Sequence, residues 1–278
     1  MVTPVIDFHI HLVKYESHHP WAVEFIEKFR PDNYQNFIEE MSKPDAFAEL
    51  LRENGVDYGV ILPEICPITT GVCSNEDVAA FCRDYDCLIP FGTVNPFMTA
   101  RPAELVEKLV KDDGFKGLKL YPTYSYFYPN DQMMYPIYAK AQDLGIPVMF
   151  HTGTSIFRGS RVKFGDPVFF DDIAVDFPEL TIIMAHSGRN FWYDTAFALS
   201  KLHPNLYMEI AGLPPQNLLN YFPNFAANAD RILFGTDWAG IPGTIKDNID
   251  EFKKLPIPED AKTKILGKNA AKILGLHK

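Results

Sequence analysis

The sequence predicts an α/β fold, a closed (β/α)8 barrel, and three observations carry that prediction. Eight short apolar runs recur along 278 residues, helix-patterned segments separate them, and the total length suits a barrel of that kind. The runs are VIDFHIHL (5–12), YGVILPEI (58–65), LIPFGTVNP (88–96), FKGLKLYP (115–122), PVMFHTG (147–153), TIIMAHSG (181–188), LYMEIAGL (206–213) and ILFGTDW (232–238). Runs this apolar are expected of parallel strands covered on both faces. A doubly wound open sheet is the alternative, weakened because no GxGxxG follows the first run.

The intervening segments carry helix punctuation. Pro44-Asp45 precedes AFAELLREN, Ser74-Asn75 precedes EDVAAFCRDY, and Asp166-Pro167 precedes VFFDDIAVDF. These are residues that start helices by capping or by a preset φ. Gly55, Gly145 and the region of Pro178 close helices before the next run. Residues 13–44 are too long for a plain connection, so a helical insertion after strand one is expected, lying over the mouth as a lid. The last helix, about residues 258–275, is expected on the barrel exterior. With no repeat, linker or composition shift, residues 1–278 read as a single domain.

Charge narrows the function. There are 26 basic and 36 acidic side chains, a formal charge of −10, with no run of Lys or Arg. Nucleic-acid and anionic-membrane partners are therefore not expected. The opening MVTPVIDFHIHL lacks the pattern of a secretory signal, and no stretch approaches the roughly 20 apolar residues of a membrane helix. Cys66, Cys73, Cys82 and Cys87 form no CxxC pair and read as ordinary thiols of a cytoplasmic protein.

The chemistry sits at strand ends. Alternation places Asp7, His9 and His11 on one strand face, with Phe8 and Ile10 on the other. Two imidazoles two residues apart can reach one divalent cation at about 2.0–2.1 Å. An isolated HxH is more often two satisfied histidines, but the placement recurs: His151, His186 and Asp237 each close a later run at the face where such barrels keep their sites. The same alternation pairs Met149 with His151, Met184 with His186, and Gly235 with Asp237. Asp7 lies deeper, either orienting an imidazole or serving as a buried structural carboxylate.

The motifs DFHIHL, GLKLYP, VMFHTG, IIMAHSG and LFGTDW, in that order, resemble the amidohydrolase superfamily, in its amidohydrolase 2 branch. FPELTIIMAHSG, HPNLYMEIAG and KILGKNAAKILGL extend the resemblance over nearly the whole chain. That branch contains aminocarboxymuconate semialdehyde decarboxylase, resorcylate-type decarboxylases and several lactone or amide hydrolases. The resemblance implies a TIM barrel holding a divalent metal, Zn²⁺ before Mn²⁺, on His9, His11, His151 and Asp237. It makes His186 an acid/base or substrate-polarising residue. In binuclear members a lysine at the position of Lys119 bridges two metals, which would turn His186 into a ligand; a single metal with Lys119 as a cationic substrate contact is preferred.

Two activities follow. The first is a metal-dependent hydrolase in which activated water attacks a C=O or C–N centre, with Asp237 taking its proton and His186 acting as acid. The alternative is a non-oxidative decarboxylase of an aromatic or unsaturated carboxylic acid on the same ligands. A barrel that binds a metabolite without turnover is a third reading, disfavoured by the intact set. Tyr121, Tyr124, Tyr126, Phe127 and Tyr128 crowd the loop after strand four, and Arg189, Arg158 and Arg161 could take a carboxylate. A small-molecule partner is expected, with a carboxylated aromatic as candidate and a homo-oligomer allowed. Substrate contacts are assigned to Lys119, Tyr121 and Arg189, and none to His18, His19, His203 or His277.

Overall fold

The computed structural model describes residues 3–12, 14–28 and 34–276. Eight parallel strands make the barrel: β1 (Ile6–His11), β2 (Tyr58–Leu62), β3 (Leu88–Pro90), β4 (Leu118–Leu120), β5 (Val148–Gly153), β6 (Ile182–Arg189), β7 (Leu206–Glu209) and β8 (Ile232–Leu233). One ladder joins β1 to β3 and a second joins β4 to β8 in chain order. Backbone bonds close both seams. Gly92 bridges Leu118, with Lys119 N–H donating to the Gly92 carbonyl at 2.8 Å. Ile10 bridges Trp238, with His11 N–H donating to the Trp238 carbonyl at 2.8 Å and Phe8 N–H to that of Phe234 at 3.0 Å.

Both faces of the strands are buried, which is why the runs lack alternation. Ile6, Phe8, Val60, Leu62, Met149, Ile183 and Leu233 fill the interior. Ile61, Leu118, Phe150, Met184, Met208 and Phe234 pack outward under the helices. Phe8 meets Phe91 edge to face at 5.5 Å, a favourable aromatic geometry.

Strict alternation fails where the site is built. The pairing of β1 with β2 carries an extra residue between Asp7 and Ile10, a bulge of the kind that re-aims side chains. Phe8 therefore stays inside with Ile6 while Ile10 faces out, correcting the expectation that both lie opposite the histidines. Met184 is outside as well, so it does not share a face with His186. His186 and Ser187 adopt φ of 64° and 48°, and that left-handed turn reverses the phase.

The ladders are shorter than the apolar runs: β4 holds three residues and β8 two, because the chain beyond them leaves the sheet to build the rim. Of the insertion after β1, residues 13 and 29–33 lie outside the described residues, as does His277. The rest includes helices Pro20–Glu27 and Tyr34–Met41. Trp21 Nε1 donates to Thr69 O at 2.6 Å and His19 Nε2 to Pro67 O at 2.8 Å. These bonds tie the first helix to an antiparallel ribbon, Glu64–Cys66 with Gly71–Cys73, so the end of the second apolar run leaves the barrel to pair with the chain that follows it.

The C-terminal segment is also corrected. Helices Glu259–Thr263 and Asn269–Leu274 flank a wider turn at Lys264–Lys268, and Ala270 and Ala271 join the interior cluster with Ile6 and Leu233. The segment thus plugs the N-terminal end of the barrel instead of lying on its wall. Asn269 Nδ2 fastens it by donating to Ala229 O at 2.7 Å and Ile232 O at 2.8 Å. Among the described residues no helix is long and apolar enough to cross a membrane.

Candidate metal centre

The bulge in β1 sends His9 and His11 into the mouth together, their Nε2 atoms 3.2 Å apart. Asp237 arrives from beyond β8, where a φ of 71° turns its carboxylate inward and its N–H donates to the His9 carbonyl at 2.9 Å. Asp237 Oδ1 lies 3.3 Å from His9 Nε2 and 3.2 Å from His11 Nε2. A tetrahedral ion with bonds of about 2.0–2.1 Å has ligand-to-ligand edges of about 3.3–3.4 Å. The triangle therefore already has nearly the size of one face of such a polyhedron, and its nitrogen and oxygen donors suit a divalent cation of zinc or manganese type.

Each imidazole meets a carboxylate through its other nitrogen. His9 Nδ1 is 3.3 Å from Glu209 Oε2, and His11 Nδ1 is 3.4 Å from Glu64 Oε2. Glu209 ends β7 and Glu64 follows β2, both buried. Burial pushes the Glu209 carboxyl up to about 8 against the opposing pull of Lys119. Burial, and then Lys119, hold His9 well below its ordinary value, so the ring is neutral. Burial works against the Asp237 carboxylate, but His9, His11 and Arg189 outweigh it and keep that carboxyl below its usual range.

Among the described residues Asp7 meets no imidazole nitrogen. Its Oδ1 accepts from the N–H of His9 at 3.2 Å and of Thr236 at 2.9 Å, and its Oδ2 from Thr236 Oγ1 at 2.7 Å. Of the two readings, it is the structural carboxylate, clamping the bulge to the segment after β8. Burial raises it to about 7 against those bonds.

His151 stands beside the donor triangle and not within it: Nε2 lies 3.3 Å from Thr154 O, and its ring centre is 4.8 Å from those of Tyr124 and His186. His186 Nδ1 lies 2.8 Å from Ala211 O, so that nitrogen carries the proton and the other keeps its lone pair. Burial and then Arg189 depress both rings. Lys119 is fully buried, with Nζ 3.4 Å from His9 Nε2 and 3.5 Å from Met149 Sδ. It lies beneath the cavity floor and not on its wall. Burial lowers its ammonium to about 8 against the pull of Glu209, Asp237 and Glu64.

The cavity above holds about 540 Å³. Tyr121 and Tyr124 stack at 5.7 Å and 15° to form one flat wall, and Phe157 stands edge-on to Tyr124 at 6.1 Å. Arg189 enters from the end of β6, its Nε and Nη2 donating to Thr154 O at 3.2 and 3.0 Å and its Nη1 3.8 Å from Asp237 Oδ2. Gly212, at φ 66°, leaves room for this: a Cβ there would sit 2.9 Å from both Arg189 Nη1 and Asp237 Oδ2. Arg158 and Arg161 instead lie over the rings of Trp21 and Tyr126, at 5.6 and 4.2 Å. A larger groove of about 1090 Å³ at the opposite end of the barrel contains none of these groups.

Sequence reading missed Glu209 and Glu64. The signal was present but weaker than at Asp237, since each is the lone acidic residue within an apolar run, Glu64 one residue before its end and Glu209 midway along it.

Comparison with known proteins agrees with this fold. An amidohydrolase family model matches residues 6–276. An uncharacterized TIM-barrel protein from Bordetella bronchiseptica is 26% identical, with a TM-score of 0.79 and 98% of each chain covered. The 2,6-dihydroxybenzoate decarboxylase from Rhizobium is 18% identical, with a TM-score of 0.71 and 99% of each chain covered. A dihydroxybenzoic acid decarboxylase from Polaromonas, solved with bound manganese and the inhibitor 2-nitroresorcinol, is 18% identical, with a TM-score of 0.71 over 100% of this chain and 98% of that one.

Proposed function

The chain is an enzyme of the amidohydrolase family, and from that premise we propose that it is a metal-dependent, non-oxidative decarboxylase of a small carboxylated aromatic compound. The observation that carries the proposal is the His9, His11 and Asp237 triangle at the base of a flat aromatic slot that also holds Arg189. Decarboxylases that act on dihydroxybenzoates share the chain's full length, one of them with manganese, which supports this reading. The hydrolytic activity expected first from the sequence is less well supported.

His9, His11 and Asp237 would hold a divalent ion, and His151, which stands beside the triangle, would be the fourth donor. When bound, such an ion supplies positive charge that fixes and polarises the oxygens of the substrate. Tyr121 and Tyr124 stack against the aromatic ring, and the Arg189 guanidinium pairs with a carboxylate or phenolate oxygen. Decarboxylation breaks the bond between ring and carboxyl carbon, releases carbon dioxide and forms a C–H bond at the same ring carbon. One proton is consumed, and His186 is the side chain we assign to carry it. With Nδ1 committed to the Ala211 carbonyl, its other nitrogen takes up the proton and hands it to the ring carbon.

Incubation of the protein, loaded with Mn²⁺ or Zn²⁺, with hydroxybenzoates, lactones and amides tests this. Carbon dioxide release from a hydroxybenzoate without ¹⁸O uptake from labelled water is the expected result. Turnover of a lactone or amide with ¹⁸O in the product would overturn it.

A further inference from the structure

The donor triangle works only if both imidazoles turn a bare Nε2 toward its centre. A neutral histidine carries one ring proton, and the hydrogen bond at the other nitrogen decides where it sits. We propose that Glu209 and Glu64 are positioning residues that hold His9 and His11 in the tautomer protonated at Nδ1, and that Glu209 dominates. The inference rests on the metal reading above for its purpose, but its structural content is independent of any ion.

Glu209 is built in from three sides. Its Oε2 accepts from the N–H of His186 at 3.3 Å and faces His9 Nδ1 at 3.3 Å, while Oε1 accepts from the N–H of Ala211 at 2.8 Å. The backbone N–H groups of His186 and Ala211 are fixed donors that engage both oxygens, so the ionised carboxylate, which can only accept, is left facing His9 Nδ1 as an acceptor as well. Gly235 makes the space: a Cβ there would overlap Glu209 Oε1 and sit 2.8 Å from His9 Cβ. Glu64 is held less completely. Its Oε1 accepts from the Thr70 hydroxyl and its Oε2 lies 3.4 Å from His11 Nδ1.

That difference ranks the two substitutions. In Glu209→Gln either orientation of the amide turns its NH₂ toward an N–H donor. Turned toward His9, it drives the ring proton onto Nε2, into the triangle; turned toward Ala211, it strands a buried N–H. In Glu64→Gln one orientation serves both partners, because the amide oxygen accepts from His11 and the Thr70 hydroxyl rotates to accept from the NH₂.

The test uses the full chain stripped of metal. Long-range ¹⁵N–¹H NMR of the histidine rings reads the tautomers, and chelator competition reads zinc affinity. The wild-type protein is expected to show Nδ1–H for both His9 and His11. Glu209→Gln is expected to lose that signature at His9 and to bind zinc about 10- to 100-fold more weakly, the usual cost of losing an outer partner, while Glu64→Gln loses less. An Nε2–H signature at His9 in the wild-type protein overturns the proposal, and that readout needs no variant to fold. So does a Glu209→Gln protein with unchanged tautomer and affinity, or a larger loss in Glu64→Gln. A wild-type protein that takes up no zinc would refute the metal reading instead, and the tautomers would still decide this proposal.

Discussion

His9 Nε2 and His11 Nε2 lie 3.2 Å apart, about the edge length between two donors of one tetrahedral cation. Asp237 Oδ1 adds a third electron-rich atom at 3.3 and 3.2 Å. The burial of His9 adds to the cost of leaving the cluster uncompensated.

Removing a member of that cluster should therefore remove the ion. His9→Ala and Asp237→Ala are each expected to weaken divalent-metal binding by more than about 100-fold, beyond the loss typical of an outer partner. Metal content after gel filtration measures this, and full occupancy in both variants would refute the ligand set.

His186→Asn should separate holding the ion from moving the proton. Metal affinity is expected to stay within about threefold, while turnover falls by about 10²- to 10⁴-fold, the range for a lost acid/base group. Steady-state kinetics with parallel metal analysis checks it; loss of a second metal equivalent would instead support the binuclear arrangement.

The depressed His186 also predicts a pH dependence of stability. Burial lowers its folded-state value below about 6.5, so below that pH the unfolded chain binds the extra proton and stability falls as pH drops. Asp7 and Glu209, raised to about 7 and about 8, act in the opposite sense over pH 4–7 because they are protonated first in the folded state. The readout is thus a difference. Between pH 7 and pH 5, metal-free wild-type protein should lose more stability than His186→Asn in denaturant titrations. Identical slopes would contradict a buried neutral imidazole.

Arg189→Met should act on binding. Losing a hydrogen bond to a charged group costs about 1.5–3 kcal/mol, so KM for a carboxylated substrate is expected to rise about 10- to 100-fold. Competition by a matched analogue lacking the carboxylate should barely change. Equal weakening of both would place Arg189 in a structural role.

Much of the fold was legible because buried parallel strands leave apolar runs, and all eight became barrel strands in chain order. His9, His11 and Asp237 were legible for a related reason: a polar group closing such a run has few structural uses. What escaped was set by irregular backbone. The bulge after Asp7 and the positive φ at His186 change the side-chain phase, so counting by twos put Phe8 and Met184 on the wrong faces. Glu64 and Glu209 escaped because each was absorbed into an apolar run. The plug formed by Ala270 and Ala271 depends on contacts between the two ends of the chain, which no local pattern encodes.

Anomalous diffraction at the zinc edge from crystals grown with Zn²⁺ tests the central claim most directly. The account predicts one strong peak within about 2.0–2.2 Å of His9 Nε2, His11 Nε2 and an Asp237 carboxylate oxygen. Full-occupancy zinc elsewhere, with these three groups bare, would contradict it.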